Sequence, residues 1–443
     1  PMTTREPNRS GLGDGKALSL LPFLLALAAV ATPPARADLS TLAAQKAEQA
    51  HGEMWRRFVD EHGIVIDYTD LEGNYPRSTP EECREGKPNA LAWWTATENG
   101  GMFNGTYMDA AVLRWKRSGA DADAEKARRL AKGLMLLASV SEVPGFIARN
   151  VATDGRTPYP MGSNDQTAPW FYGMWRYLDS GLASEEEKAE MVAKVELVAE
   201  ALAASGWRMP CDTGAPSPYR GTFAGDGWEF APRLLFLMKW LHLLTGKEIW
   251  AERYHAALYE QGQVSGMTRL EICKRGMLFE HERRHSWTCA SGVIGLGGLW
   301  ELETDPELKA AYAAGLKAGA ELALTSLPLH AEFDPAAQQT FEADWRVLNE
   351  WWKPQASEQD AVDVAMVQIK ELGKRSPRRY REFVFVRETA YAAWLVTLCP
   401  DADFVRRHRA EIEKVIAHYD YSQLYYSQFF PVEAAWQRLR EGE

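Results

Sequence analysis

Two kinds of helical segment alternate along most of this chain. One kind carries apolar residues at the spacing of an amphipathic helix, in the ranges 124–141, 184–204, 231–245, 249–261, 306–326, 360–372 and 404–418. The other kind is shorter and rich in glycine, alanine and aromatic residues, in the ranges 102–116, 167–178, 286–302 and 389–398. Segments that alternate at strand spacing are few. This pattern predicts an all-α fold.

The alternation also predicts how the helices are arranged. An amphipathic helix has one face for solvent and suits an outer ring, whereas a helix of small and aromatic residues packs on every side and suits an inner ring. We therefore expect an (α/α)6 or (α/α)7 toroid of helical hairpins. No linker or low-complexity segment divides residues 38–443, so we expect them to form a single domain.

The first 37 residues have the composition of a secretory signal peptide. Lys16 precedes an apolar run over 17–32, and Ala35-Arg36-Ala37 follows as an Ala-x-Ala cleavage site. The run contains Pro22 and is short for a membrane span. We expect cleavage after Ala37 and a secreted or periplasmic protein with no membrane span in the mature chain.

The composition bears on partners and cofactors. The formal net charge is -11 over 443 residues, so a nucleic acid is not an expected ligand. The five cysteines form no Cys-x-x-Cys pair and are interpreted as packed thiols. No metal-binding or nucleotide-binding motif is present, and we expect no cofactor and no metal. The basic run over 374–379 is interpreted as solvated surface.

Two segments share a layout that indicates a binding cleft. In 98–109 and 162–177 a polar, glycine-bearing turn leads directly into a helix rich in aromatic residues. Each turn brings carboxylate and amide side chains to a helix N-terminus, where free N–H groups and the helix dipole favour an anionic or hydroxyl-rich ligand. The chain also has 17 Trp, 16 Tyr and 16 Phe, some of which can stack on sugar rings while most fill the core. The layout predicts a carbohydrate-active enzyme.

The order of polar turn, glycine, aromatic residue, glycine and tyrosine at these two helix starts resembles the inner helices of (α/α) toroid sugar enzymes. Two groups of such enzymes are similar, the uronan polysaccharide lyases and the unsaturated glucuronyl hydrolases. The resemblance implies the toroid fold and a polysaccharide or oligosaccharide as substrate. It leaves the reaction open between β-elimination and hydrolysis.

The resemblance to the lyases implies roles for four residues. Asn164 and Arg149 would neutralise the carboxylate of a uronic acid, His285 would remove the C5 proton, and Tyr426 would protonate the leaving oxygen. Neutralisation is needed because a proton beside a carboxylate is only weakly acidic. In several such lyases a histidine follows the asparagine, whereas the next residue here is Asp165. Our first hypothesis is therefore a lyase that cleaves a uronic-acid-containing glycan.

The second hypothesis is a glycoside hydrolase on the same fold. Glu98 and Asp165 would be its two carboxyl groups, one donating a proton and the other activating water or attacking the sugar. The competing interpretation is that both acidic residues only cap their helices. A non-catalytic glycan-binding protein is the third hypothesis.

Six further residues are expected to contact the sugar: Trp170, Tyr172, Arg284, Trp228, Asn99 and Gln166. All of these expectations depend on one geometric condition. The segments around positions 98, 164 and 285 must meet at one end of the helices, although they are far apart in the sequence.

Overall fold

The computed structural model describes residues 36–281 and 285–441. The predicted signal peptide, residues 1–37, lies outside this range except for its last two residues, which begin the first helix. Arg284, a predicted sugar contact, also lies outside the described residues.

The described residues are mostly helical, with almost no strand, which confirms the prediction of an all-α fold. The α-helices are α1 (Arg36–Glu53), α2 (Pro80–Glu85), α3 (Gly100–Ser118), α4 (Asp121–Leu137), α5 (Asn164–Ser180), α6 (Glu185–Ala204), α7 (Phe230–Thr245), α8 (Glu248–Tyr259), α9 (Arg269–Arg275), α10 (Ser286–Leu302), α11 (Pro306–Leu324), α12 (Glu358–Arg375), α13 (Pro377–Glu382), α14 (Glu388–Thr397), α15 (Ala402–Arg407), α16 (Arg409–His418) and α17 (Pro431–Leu439). Two short strands, β1 (Arg208–Pro210) and β2 (Tyr219–Thr222), pair antiparallel with Arg208 opposite Thr222.

Several helix ends follow local sequence signals. Ser184 and Glu187 form a capping box at the start of α6, and Asp305 caps α11 ahead of its first-turn proline. Gly181 and Gly246 end α5 and α7 in the left-handed conformation, at φ of 81° and 67°. The boundaries of these hairpins are therefore encoded locally.

The helices differ in how much of their surface is buried. Helices α3, α5, α10, α14 and α17 are buried over most of their length, whereas α4, α6, α11 and α12 bury one face. The buried helices contact one another in a closed circuit, in the order α3, α5, α10, α14, α17 and back to α3, and α7 packs against α10 and α5. Helices α4 and α11 lie outside this circuit, α4 against α3 and α11 against α10 and α14.

Helices α3 and α5 approach each other most closely at two glycines. A Cβ atom added to Gly105 would lie 1.9 Å from the backbone oxygen of Pro169, and one added to Gly173 would lie 2.6 Å from the Cα atom of Gly105. Only glycine permits this contact without moving a backbone. The crossing therefore fixes the two polar helix starts beside each other.

A buried charged cluster joins four of the inner helices. The carboxylate of Asp109 on α3 accepts hydrogen bonds from Arg438 at 2.8 Å and from Trp394 at 3.1 Å, and it forms an ion pair with Arg176 at 3.1 Å. These partners lie on α17, α14 and α5. Paired arginines lower the pKa of Asp109 although burial opposes the shift.

Two further findings concern the described residues as a whole. All five cysteines are buried and free, as packed thiols would be. Within residues 36–281 and 285–441, no helix combines the length and hydrophobicity that crossing a bilayer requires.

Candidate active site

A cavity of about 250 Å³ lies where the N-terminal ends of the inner helices meet. Its wall contains three carboxyl groups and three arginines: Asp67, Glu98 and Asp165, and Arg149, Arg379 and Arg387. Aromatic rings and amides complete most of the wall: Tyr68, Trp93, Trp94, Trp287, Phe383 and Tyr426, and Asn99, Gln166 and Gln428.

The helix starts explain why these groups converge. Glu98 and Asn99 directly precede α3, Asp165 and Gln166 lie in the first turn of α5, and Trp287 lies in the first turn of α10. Since residues in the first turns of α3, α5 and α10 line one cavity, the N-termini and positive dipole ends of these helices lie beside it. A pocket built there favours acidic or hydroxyl-rich ligands.

Six of the predicted site residues line this one cavity: Glu98, Asn99, Arg149, Asp165, Gln166 and Tyr426. They come from four separate parts of the chain. The structure therefore brings together both carboxyl groups of the hydrolase hypothesis, and the arginine and the tyrosine of the lyase hypothesis.

Asn164 and His285, the other two residues of the lyase hypothesis, are not part of the cavity wall. Asn164 lies against Gly221 on β2, where an added Cβ atom would be 2.9 Å from the asparagine oxygen. His285 is exposed just before α10, and its ring lies 4.6 Å from that of His281.

Three predicted sugar-stacking residues belong to the core instead. Trp170 is fully buried and donates its indole N–H to the backbone oxygen of Leu134 at 2.8 Å. Tyr172 packs edge-on against Trp175, and Trp228 is fully buried beside Gly292. Their side chains fill space between helices, which leaves no face for a sugar ring.

Glu98 is held in place by the loop that precedes it. Its carboxylate accepts a hydrogen bond from the backbone N–H of Trp94 at 2.7 Å. Ala92 and Trp94 have positive φ angles of 58° and 73°, which are rare for residues other than glycine. The indole N–H of Trp94 donates to the backbone oxygen of Ala365 at 2.9 Å and so fixes the loop. Strain of this kind persists where the surroundings impose it, commonly at functional sites.

A hydrogen-bonded chain connects a second carboxyl group to this site. Asp67 accepts from the backbone N–H and the side-chain amide of Asn99 at 2.8 and 2.6 Å. Asn99 in turn accepts from Gln166 at 3.1 Å. Burial raises the pKa of Glu98, and burial together with the charge of Glu98 raises the pKa of Asp67 well above its usual range.

Asp165 lies in a different environment from Glu98. Its side chain is 55% exposed and forms an ion pair with Arg233 at 3.2 Å. Arg233 also pairs with Glu229 at 2.9 Å and hydrogen-bonds Ser291 on α10. The site therefore holds two carboxyl groups in different surroundings: burial raises the pKa of Glu98, whereas Asp165 is more than half exposed and paired with an arginine.

Tyr426 is one of two tyrosines in the cavity wall, the other being Tyr68. It is buried between Tyr68 and Phe383, whose ring centroids lie 5.2 and 4.7 Å from its own. Burial raises the pKa of Tyr426, although the positive charge of Arg379 and a hydrogen bond from it act in the opposite direction. The phenol is therefore protonated at neutral pH.

The three arginines of the wall have few protein partners. Arg149 donates to the backbone oxygen of Glu98 at 3.0 Å, and Arg387 lies over the rings of Trp287 and Phe383 at 4.1 and 4.0 Å. Burial lowers the pKa of Arg149 to about 10 and that of Arg387 to about 9, so both remain charged at neutral pH.

Part of this wall was not predicted from the sequence. Arg379 belongs to the basic run interpreted as solvated surface, but it is buried at the cavity, so that interpretation is wrong for this residue. Arg387 lies at the end of a π-helical turn, Phe383–Arg387, that joins α13 to α14. Such turns recur at functional sites, but no short sequence pattern announces them.

Within the described part of the chain, no group of three or more His, Cys, Asp or Glu is arranged to hold a metal ion. Comparison of the chain with protein-family models, with curated proteins and with solved structures finds no match. The geometry and chemistry of the cavity are therefore what indicate a function.

Proposed function

We propose that this protein is a glycoside hydrolase that cleaves its substrate in the cavity described above. One observation carries the proposal. Glu98 and Asp165 stand at the starts of two neighbouring helices, line the same aromatic-walled cavity and have opposite surroundings. Two carboxyl groups with unlike environments are what acid-assisted cleavage of a glycosidic bond requires.

In this proposal the two carboxyl groups divide the work. Glu98 is the acid, because burial favours its protonated form, and it donates a proton to the glycosidic oxygen. Asp165 is the base or nucleophile, and its ion pair with Arg233 at 3.2 Å holds the carboxylate in place at the cavity. The exposed part of Trp287 offers a face on which a sugar ring can stack.

The fold and the location of the protein are part of the same proposal. The closed circuit of inner helices is the arrangement expected of an (α/α) toroid with its site at one rim. Export through the N-terminal apolar segment would place the enzyme where polysaccharides are encountered.

A polysaccharide lyase is the second candidate, favoured by the presence of Tyr426 and Arg379 in the same cavity. In that case Tyr426 would protonate the leaving oxygen and Arg149 would neutralise a uronate carboxylate. Neither Asn164 nor His285 would take part from its position outside the wall. The lyase would then need another group as base, and this is why we place hydrolysis first.

An assay of products distinguishes these candidates. The protein is incubated with a panel of neutral and acidic polysaccharides, and new reducing ends are measured alongside the ultraviolet absorbance of unsaturated uronates. We expect reducing ends without the absorbance. Absorbance that grows with the reducing ends would replace hydrolysis by β-elimination, and binding with neither signal would indicate a non-catalytic glycan-binding protein.

The variant Glu98→Gln tests the assignment of the acid. We expect turnover to fall by about 100-fold or more, the usual contribution of a positioned general acid. Glu142→Gln changes an exposed glutamate outside the cavity and serves as the matched control. Full activity in Glu98→Gln would remove Glu98 from the mechanism.

A further inference from the structure

The cavity wall carries more positive charge than its protein partners balance. Arg149, Arg379 and Arg387 all line it, and none of them forms an ion pair with a carboxylate in the described residues. The Nε atoms of Arg149 and Arg387 are buried and have no hydrogen-bond partner there. Burying a charged group without a partner is costly, so such a cluster indicates that a ligand supplies the missing acceptors.

The nearby carboxyl groups do not remove this excess charge. None of them forms an ion pair with these three arginines: burial raises the pKa of Asp67 and of Glu98, and Asp165 is ion-paired with Arg233 instead. The chain as a whole is acidic, with a formal net charge of -11. A concentration of positive charge at one buried place in an acidic protein is therefore a local feature of this site.

The arginines occupy two different parts of the wall. Arg149 comes from the segment between α4 and α5, where Arg220 is the like charge that acts on it most. Arg387 comes from the π-helical turn and Arg379 from α13, and both guanidinium groups lie over the ring of Phe383. Arg379 is the like charge that acts most on Arg387. Glu98 lies near both groups, since Arg149 donates a hydrogen bond to its backbone oxygen at 3.0 Å and its side chain lines the same cavity as Arg387.

We infer that the cavity binds acidic groups of the glycan at two positions, one at Arg149 and one at Arg379 and Arg387, with the cleaved bond near Glu98 between them. The inference rests on the proposed function and specifies its substrate. That substrate is a chain in which two adjoining sugars each carry an anionic group. A guanidinium group pairs with a carboxylate or a sulfate ester through two parallel hydrogen bonds, and the aromatic rings beneath Arg379 and Arg387 hold the two planes in place.

Binding measurements test this inference without requiring turnover. The first probe is a disaccharide of two uronates. The second and third are its two mono-methyl esters, each of which has one carboxylate blocked. The fourth is a disaccharide of two uncharged sugars, each of which carries one sulfate ester. Affinities are measured by calorimetry with the full chain. We expect the diuronate or the disulfated probe to bind about tenfold or more tightly than either mono-ester, since a charge-assisted hydrogen bond contributes about 1.5–3 kcal/mol.

Substitutions assign each position. In Arg387→Met we expect the affinity for one mono-ester to remain and that for the other to fall about tenfold or more, and in Arg149→Met the opposite pattern. Arg375→Met is the matched control, because Arg375 also lies over a tryptophan, Trp351, but outside the cavity. The thermal transition of each variant reports whether it is folded. If Arg387→Met does not fold, Arg387→Lys replaces it, because lysine keeps the charge but cannot form the two parallel hydrogen bonds of a guanidinium group.

Two outcomes would overturn the inference. One is that the doubly acidic probes bind no more tightly than either mono-ester. The other is that both arginine variants weaken the same mono-ester by the same factor, which would indicate a single anion position. A protein that binds as expected but cleaves nothing would contradict the proposed hydrolysis and leave the two anion positions standing.

Discussion

At the scale of single residues, the site depends on which way a side chain points. Asn164 and Asp165 are consecutive at the start of α5, but only Asp165 lines the cavity. Successive residues of an α-helix point about 100° apart, so the phase of the helix decides which one enters the site. The sequence indicated the polar turn correctly, but this phase depends on how α5 packs against α3 and β2.

The pKa of Asp67 leads to a prediction on stability. Because burial raises this pKa, Asp67 holds a proton in the folded state that it loses in the unfolded state, so folding stability falls as pH rises from about 4 toward the raised pKa. The side chain of Asp67→Asn cannot ionise, so the free energy of unfolding of this variant should fall less with pH. The difference from the wild type should be about 1 kcal/mol for each pH unit crossed in that window.

Urea unfolding of the wild type and of Asp67→Asn at pH 5 and pH 8 measures the difference. Asp179→Asn, at an exposed position, should follow the wild type. Identical pH dependence in the wild type and Asp67→Asn would mean that Asp67 is ionised in the folded protein.

Tyr426 provides a test between the two reactions. In a hydrolase that uses Glu98 and Asp165, Tyr426→Phe keeps the ring packing and should cost less than about tenfold in turnover, whereas loss of a general acid costs about 100-fold or more. The measurement is kcat and KM of the purified variant on the best polysaccharide of the panel. A loss of the larger size would favour the lyase, in which the phenol is the proton donor.

At the scale of elements, the fold depends on close helix contacts and on one irregular turn. The amphipathic spacing and the capping signals predicted most helices, because both are local properties of the sequence. The π-helical turn at Phe383–Arg387 was not predicted, since it arises where packing imposes a wider turn on an otherwise continuous helix. This turn carries Phe383 and Arg387 to the cavity, which is why the site could be predicted only in part.

The crossing of α3 and α5 predicts opposite effects for two glycine substitutions. Gly105→Ala would place a Cβ atom 1.9 Å from the backbone oxygen of Pro169, and we expect a loss of about 1–3 kcal/mol as the helices separate. Gly373→Ala, at an exposed position of α12 with open space around it, should stabilise the protein by up to about 1 kcal/mol.

Urea unfolding measures both changes. Activity should fall only in Gly105→Ala, because the crossing holds the starts of α3 and α5 beside each other. A neutral Gly105→Ala would show that the two helices have room to separate without cost.

At the scale of the whole molecule, convergence of distant segments is the property that the sequence left open. The carboxyl and arginine groups of the cavity lie between positions 67 and 387, and no local pattern relates them. They meet because the inner helices form a closed circuit in which α17, near the end of the described chain, contacts α3. Composition and periodicity indicated the kind of fold. Which residues line the cavity follows only from the closing of the circuit of inner helices.

Substitution of Asp109 tests how much the circuit of inner helices depends on the buried charged cluster. Asp109→Asn removes the negative charge that Arg176 and Arg438 share and leaves both arginines buried without it, so we expect a loss of about 3–5 kcal/mol. Asp403→Asn breaks an exposed pair with Arg406 and should cost at most about 1 kcal/mol. The measurement is urea unfolding of both variants beside the wild type, and equal stability of the two would contradict the structural role of the cluster.

A crystal structure of Glu98→Gln with a bound acidic oligosaccharide tests the central claim most directly. The claim is that the cavity between the inner helix starts is where the glycan is held for cleavage. We expect a sugar ring in that cavity, a glycosidic oxygen within hydrogen-bond distance of the side chain at position 98, and anionic groups on Arg149 and Arg387. An oligosaccharide bound elsewhere on the protein, with this cavity free of sugar, would contradict the account.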